Sequence, residues 1–209
     1  LCDNNIVLDA KGNAIYEHDA ERFVVLQNLV VNATGDAIHF RLGDPGRVNP
    51  PYQNHHRAFG NCLLNCTGAV MRPNETSLSD YNFICMSDLS KAFKQQGSPS
   101  APKEELDLEA WRARGQDTHS VVSTATTTFD MDTLTLHVTS PAGNLPNFGE
   151  FPELLPEIAT ASTLLTFDHF GRARDNSVFQ AGPIVGFPLD GSPVAIDPRI
   201  RRYEPPAKR

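Results

Sequence analysis

Apolar residues in this chain come in short runs broken by Gly, Asp, Asn and Pro, and that punctuation most narrows the folds open to it. Ile6-Val7-Leu8 leads through Gly12 and Asn13 into Ala14-Ile15-Tyr16, which predicts a hairpin with Gly and Asn at its tip. Over 23–31 a helix capped by Asp19 competes with a strand, and the β-branched Val24, Val25, Val30 and Val31 favour the strand. Ile38, Phe40 and Leu42 share one face opposite Ala37, His39 and Arg41, the pattern of a half-buried strand. Beyond His119, β-branched runs and the alternation of Leu134, Leu136 and Val138 with Thr135, His137 and Thr139 return the chain to strands. Short strands are then predicted over 163–167, 177–180, 184–187 and 193–196.

Two stretches read as helices. Ser87-Asp88 caps one that runs to Gln96, with Leu89, Ala92 and Phe93 as its stripe and Gly97 as its stop. The other spans 103–114, with Glu104, Glu105 and Asp107 early and Arg112 and Arg114 late, the order that suits the helix dipole. Because strands come in runs without alternating helices, antiparallel pairing is expected. The predicted fold class is therefore mainly β, α+β in minor part: an antiparallel β-rich domain with two short inserted helices and a cysteine-bearing irregular loop. Its organisation is a single domain over 1–198, with the loop at 45–86 and the helical insert at 87–115, then a basic tail at 199–209. One internal echo, 36–46 against 132–143, joins a strand to a Pro-containing turn, and two such units do not amount to a solenoid.

A chain of 209 residues can bury about 70% of its unfolded surface without a metal or a staple. With 40% hydrophobic and 21% charged residues and no apolar run long enough to span a bilayer, it reads as globular, with no membrane insertion by this segment. The formal net charge of -7 opposes a nucleic-acid partner. Arg199, Arg201, Arg202, Lys208 and Arg209 against Glu204 make the tail +4 and leave -11 on the first 198 residues.

Cys2, Cys62, Cys66 and Cys85 are even in number, and Asn-X-Thr sequons stand at Asn32, Asn65 and Asn74. With a first residue, Leu1, that is not Met, these features point to a processed or truncated chain in an oxidising compartment: extracellular, periplasmic or at the cell surface, with one or two disulfides. A tetrahedral metal site from His55, His56, Cys62 and Cys66 is the alternative use, but C-x3-C behind adjacent histidines is not a zinc spacing, so no metal is expected.

No GxSxG, HExxH, Walker loop or GxGxxG occurs, so no catalytic residue and no cofactor is assigned. The sharpest enzymatic arrangement would set His55 or His56 beside Asp80 or Asp88, and Asp168-His169 would be a second carboxylate-oriented histidine. Tyr52, His55, His56 and Phe59 lie close together and form a candidate stacking face for a glycan or a partner protein, the alternative being that Phe59 plugs the core.

Leu155-Pro156 followed by Leu164-Leu165-Thr166-Phe167-Asp168-His169-Phe170-Gly171-Arg172 resembles the C-terminal part of minor type IV pilins and minor pseudopilins, where a strand ends in a Phe-Asp-x-x-Gly-Arg turn. The hydrophobic N-terminal helix of that family is absent from Leu1 onward. The resemblance implies an extracytoplasmic filament subunit that packs against its neighbours, without catalysis. The functional expectation is a non-catalytic extracytoplasmic structural or protein-interaction domain, with protein partners or self-assembly. A secreted hydrolase and a carbohydrate- or ligand-binding module using the 52–59 loop are the alternatives.

Overall fold

The computed structural model describes residues 1–18, 20–41, 55–72, 75–96, 102–148, 166–175 and 180–197. Its first half is a coil wound around one core. The first coil comprises β1 (Cys2–Asp3), β2 (Ile6–Leu8) and β3 (Ile15–Glu17), and the second β4 (Val24–Leu26), β5 (Leu29–Val31) and β6 (Asp36–Phe40). The third comprises β7 (Arg57–Phe59), β8 (Cys62–Leu64) and β9 (Gly68–Arg72), and the fourth β10 (Leu78–Asp80), β11 (Phe83–Cys85) and β12 (Phe93–Gln95). Each strand pairs in parallel with its counterpart one coil away, so β1-β4-β7-β10 make sheet A, β2-β5-β8-β11 sheet B and β3-β6-β9-β12 sheet C. This is a three-faced parallel β-solenoid.

The antiparallel expectation is thus overturned, and the physical reason lies at the corners. Between sheets A and B the chain turns in two residues, the first at positive φ: Asn4 (55°), Gln27 (50°), Gly60 (61°) and Tyr81 (56°). The single left-handed residue is followed by an Asn whose N–H bonds outside the turn, to a side chain further along the solenoid, and the strands on either side pair with other coils and not with each other, so the chain bends into the next face instead of reversing. A second left-handed column, Asp9, Asn32 and Asn65, follows sheet B. Hence 6–8 and 15–17 are not a hairpin but strands of different sheets.

The second residue of each A–B corner is Asn5, Asn28, Asn61 or Asn82, separated by 23, 33 and 21 residues. Its backbone N–H points along the solenoid axis, where no strand partner exists. The side-chain carbonyl one coil on accepts it: Asn5 N to Asn28 Oδ1 at 2.9 Å, Asn28 N to Asn61 Oδ1 at 3.0 Å, Asn61 N to Asn82 Oδ1 at 2.8 Å. Ser120 Oγ takes the last of them, from Asn82 N at 2.8 Å. The amide nitrogens donate to carbonyls of their own and the preceding coil, as Asn61 Nδ2 does to Phe59 O and Val25 O, both at 3.1 Å. Buried corner backbone is thereby satisfied at every step.

Inside, Val7, Val30, Leu63, Ile84 and Val122 stack on sheet B, and Ile15, Ile38, Val70 and Phe93 on sheet C, meeting Val25 and Ala58 of sheet A. The C-terminal end is closed. β13 (Glu104–Leu106) pairs antiparallel with β12, and α1 (Leu108–Ala113), capped by Asp107, lays Trp111 on Phe93 with ring centroids 5.0 Å apart. The only helix among the described residues is this short one, a correction to the two inserted helices. The apolar stripe over 88–96 satisfies helical spacing, but pairing of Phe93 with Val70 draws it into sheet C.

β14 (Val121–Ser123) adds a parallel strand to sheet B. β15 (Thr126–Asp130), β16 (Thr135–Asn144), β17 (Pro188–Asp190) and β18 (Val194–Ala195) then form an antiparallel sheet D. Its Leu136, Val138 and Leu189, with Leu145, Ile184 and Phe187, pack on the outward Leu29, Val31, Cys62, Leu64, Phe83 and Cys85 of sheet B. Sheet B is buried on both faces, which is why its strands carry apolar residues at nearly every position.

The disulfide expectation is also corrected: all four cysteines are free thiols. Cys62 pairs with Phe83 and Cys85 with Leu64, so the two lie two residues out of register; Cys66 belongs to the interior cluster and Cys2 to sheet A. The span 45–86 contains β7 to β11 in place of a stapled loop, and the secreted, glycoprotein and filament readings lose the cysteine framework they drew on. Burial pushes Cys62 well up, Cys66 up to about 11 and Cys85 up to about 12, leaving them protonated at neutral pH. A thiol reagent near pH 8 is expected to reach at most Cys2 in the native protein and all four thiols after denaturation; rapid native labelling at Cys62 or Cys85 would contradict this burial.

Candidate functional site

Sheet C carries the first candidate. Its central outward column runs Tyr16, His39, Met71, Lys94 in direct register, on strands about 4.8 Å apart. Asp36 ties it together: Oδ2 lies 2.7 Å from His39 Nδ1 and Oδ1 accepts from Lys94 Nζ at 2.6 Å. Burial pushes the Asp36 carboxyl up, but the hydrogen bonds from His39 and Lys94 outweigh it and hold the group below its ordinary range. Tyr16 is 47% exposed, its ring 5.1 Å from that of His39 and 5.9 Å from that of His18, which touches Arg41. The result is an exposed aromatic ring flanked by two imidazoles, with cations beside a buried carboxylate.

The sequence makes room for this through one missing residue. Asp9-Ala10-Lys11-Gly12, Asn32-Ala33-Thr34-Gly35 and Asn65-Cys66-Thr67-Gly68 occupy the same corner, yet Gly12 and Gly35 precede their core residues Ile15 and Ile38 by one position more than Gly68 precedes Val70. Asp36 therefore lies opposite Gly68, and its carboxylate crosses the space a Cβ there would fill, 2.2 Å from Oδ1.

The second candidate is an aspartate–histidine pair beyond β10. Asp80 Oδ2 lies 2.7 Å from His119 Nδ1, and Oδ1 accepts from the backbone N–H groups of Tyr81 and His119, each at 2.8 Å. The His119 ring stacks on Tyr81 at 4.8 Å and 6°, its side chain 59% exposed with Nε2 turned away from the carboxylate. Such an imidazole is oriented for proton transfer.

The sequence-predicted residues fall elsewhere. Tyr52 and Asn74 lie outside the described residues. His55 sits at positive φ with its N–H on Thr76 Oγ1, and Phe59 is buried on sheet A beneath Tyr81. His56 is wholly buried, stacked on Phe40 at 4.7 Å, its Nδ1 accepting from Phe23 N at 3.1 Å and its Nε2 3.3 Å from Glu17 Oε2. His56 and Phe59 therefore present no stacking face. His55, His56, Cys62 and Cys66 do not converge, and among the described residues no three His, Cys, Asp or Glu side chains form a metal-binding group. The sequon residues Asn32 and Asn65 belong to the second left-handed column, their Nδ2 atoms donating to Asp9 Oδ1 at 2.9 Å and Thr127 Oγ1 at 2.8 Å.

Asp168 and His169 do not pair. Asp168 accepts from Phe170 N, Arg172 N, Arg172 Nε and Val185 N, while His169 Nδ1 meets Asn4 O at 2.8 Å. Arg174 reaches Asn4 Oδ1, Gln27 Nε2 reaches Gln180 O, and Gly182 N reaches Gly60 O. The turn over 167–172 thus belongs to a clasp that runs along the A–B corner.

Burial, with Arg57 and His55 adding to it, pushes His56 from 6.5 down to about 4. Above pH 6.5 the ring is neutral in folded and unfolded chains, and stability is complete. As pH falls from 6.5 towards 4 the unfolded chain takes up the proton first, so stability declines by up to about 3 kcal/mol and then levels off. Denaturant midpoints measured across this window should show the decline in the native protein and a flatter line in His56→Gln.

No family model, curated protein or solved structure matches this chain. The fold places it in the class of parallel β-solenoids, and its function rests on its own geometry.

Proposed function

We propose that this chain is a non-catalytic recognition module, a rigid solenoid that binds a saccharide chain on sheet C. The observation that supports this is the half-exposed Tyr16 ring held between His18 and His39 above the Asp36–Lys94 pair. An exposed ring offers a stacking surface to a sugar face, and the exposed His18 with Arg41 beside it supplies hydrogen bonds to hydroxyl or acidic substituents, while the buried His39, held by Asp36, backs the ring. Buried ion pairs are weak sources of stability, and this one positions the side chains on either side of it. A solenoid face offers such groups to an extended ligand without ordering a loop.

Calorimetric titration with neutral and acidic oligosaccharides tests the reading. Binding that Tyr16→Ala weakens by roughly tenfold or more, about 1.4 kcal/mol, with unchanged circular dichroism, is the expected result. No binding by the native protein would end this reading. The Asp80–His119 pair favours a hydrolase instead, and turnover of a glycan or ester abolished by His119→Ala would replace recognition by catalysis.

A further inference from the structure

The saccharide face borders a buried pair at the corner between sheets C and A. The side chain of His56 is fully buried and that of Glu17 is 2% exposed, with Nε2 of the one 3.3 Å from Oε2 of the other. Phe23 N donates to His56 Nδ1 at 3.1 Å, so Nδ1 carries no proton and the neutral ring keeps its hydrogen on Nε2. Nε2 makes no hydrogen bond among the described residues, although it faces the carboxylate. The Phe40 ring of β6 covers the imidazole at 4.7 Å, and Ser77 Oγ accepts from His56 N. The charged groups around it are Glu17 from β3, His55 and Arg57 from its own segment, and Arg72 of β9, which reaches Ser77 O at 3.2 Å.

This pair holds the chain that leaves β3. Glu17 follows Tyr16; its Oε1 accepts from Ala20 N and its backbone O from Arg41 N at 3.2 Å. Phe23 is held on both sides, its N–H by His56 and its carbonyl by Arg57 N at 2.9 Å. Arg22, between those anchors, sits at a φ of 54°, a left-handed conformation that a residue of this kind keeps only where its surroundings enforce it. His18, which stands beside the Tyr16 ring and touches Arg41, is carried by the same stretch.

We propose that the Glu17–His56 pair is an acid-operated latch on the saccharide face: a proton on His56 Nδ1 sets two N–H groups against each other, releases Phe23 and loosens His18 and Arg41 from the ligand. The inference rests on the saccharide reading, whose regulation it names. The charged ring also draws Glu17 towards Nε2 and away from Ala20 N, so both anchors of 20–23 go together. Binding and proton uptake then oppose one another. Affinity is full while the ring is neutral and falls as pH drops through about 4, the value to which burial, with Arg57 and His55, lowers this imidazole.

The probe is the neutral hexaose, of glucose, mannose, xylose or N-acetylglucosamine, that the native protein binds most tightly near pH 6, titrated calorimetrically down to about pH 3, with the Phe23 amide followed by NMR without ligand. The control is His56→Gln, whose amide oxygen can accept from Phe23 N and whose amide nitrogen can face Glu17 without titrating. Relative to that variant, the native protein should bind about twofold more weakly near pH 4 and about tenfold more weakly near pH 3, and only its Phe23 amide should titrate. His18 is present in both proteins, so the difference belongs to His56. Equal falls in affinity, a native Phe23 amide that does not titrate, or unfolding of the whole native chain over the same pH range by circular dichroism would overturn the latch. If none of the sugars binds, the saccharide reading fails and takes the release step with it, while a Phe23 amide that titrates in the native protein alone leaves the latch standing.

Discussion

Asn61→Ala is expected to lower stability by about 3–5 kcal/mol and the melting temperature by roughly 6–20 °C. Its Oδ1 accepts from Asn28 N and Nδ2, both at 3.0 Å, and its Nδ2 donates to Val25 O, Phe59 O and Asn82 Oδ1. Truncation leaves the buried Asn28 N–H without an acceptor and opens the corner between the second and third coils. Asn61→Asp sharpens the test. It keeps shape and acceptor but sets a carboxylate against three carbonyl oxygens, so near neutral pH it should be at least as damaging as alanine. Protonation restores one donor, so its deficit should shrink as pH falls. An Asn61→Ala protein that melts with the native one would show that the ladder contributes little.

Gly68→Ala is expected to cost a similar amount, about 3–5 kcal/mol, because the new methyl would sit 2.2 Å from Asp36 Oδ1 and 3.3 Å from Lys94 Nζ. Asp36 has a short side chain, held at one oxygen by Lys94 and at the other by His39, so it cannot yield without losing both. Space is the whole cause, since Gly68 is not in the left-handed region. Adding Asp36→Ala should relieve the clash, making the double variant more stable than the two single losses combined predict, by about 1–3 kcal/mol. Simple additivity in denaturant titrations would mean that the carboxylate is not what the methyl meets.

Much of the strand content was legible. The alternation over 37–42 and the β-branched residues at 24–31 and 121–129 mark β4, β5, β6, β14 and β15. The way those strands associate was not. A two-residue turn such as Gln27-Asn28 has the composition of a hairpin, and only the partners its flanking strands find, β7 for β4 and β2 and β8 for β5, decide between reversal and a corner. The repeat is written in the chain as Asn followed by apolar triplets, at Asn5, Asn28, Asn61 and Asn82, with an Asx-small-x-Gly corner after the first three. Unequal spacings of 23, 33 and 21 residues conceal it from any search for a fixed period. The candidate sites were harder still. His39 stood out only as the polar face of a strand, and the sharing of Asp36 between it and Lys94, 58 residues on from Asp36, depends on register across three coils. Asp80 was suspected of holding a histidine, but the one it holds is His119.

The sequence by itself determined that short strands would dominate, because β-branched and alternating apolar residues favour a half-buried extended backbone and Gly, Asp and Asn end each run. Tertiary structure alone decided that these strands wind in parallel, that the thiols stay apart and that Asp36 meets Lys94. Those outcomes depend on which coil stacks on which, a long-range choice made by buried corner amides and in-register apolar columns that no local pattern encodes.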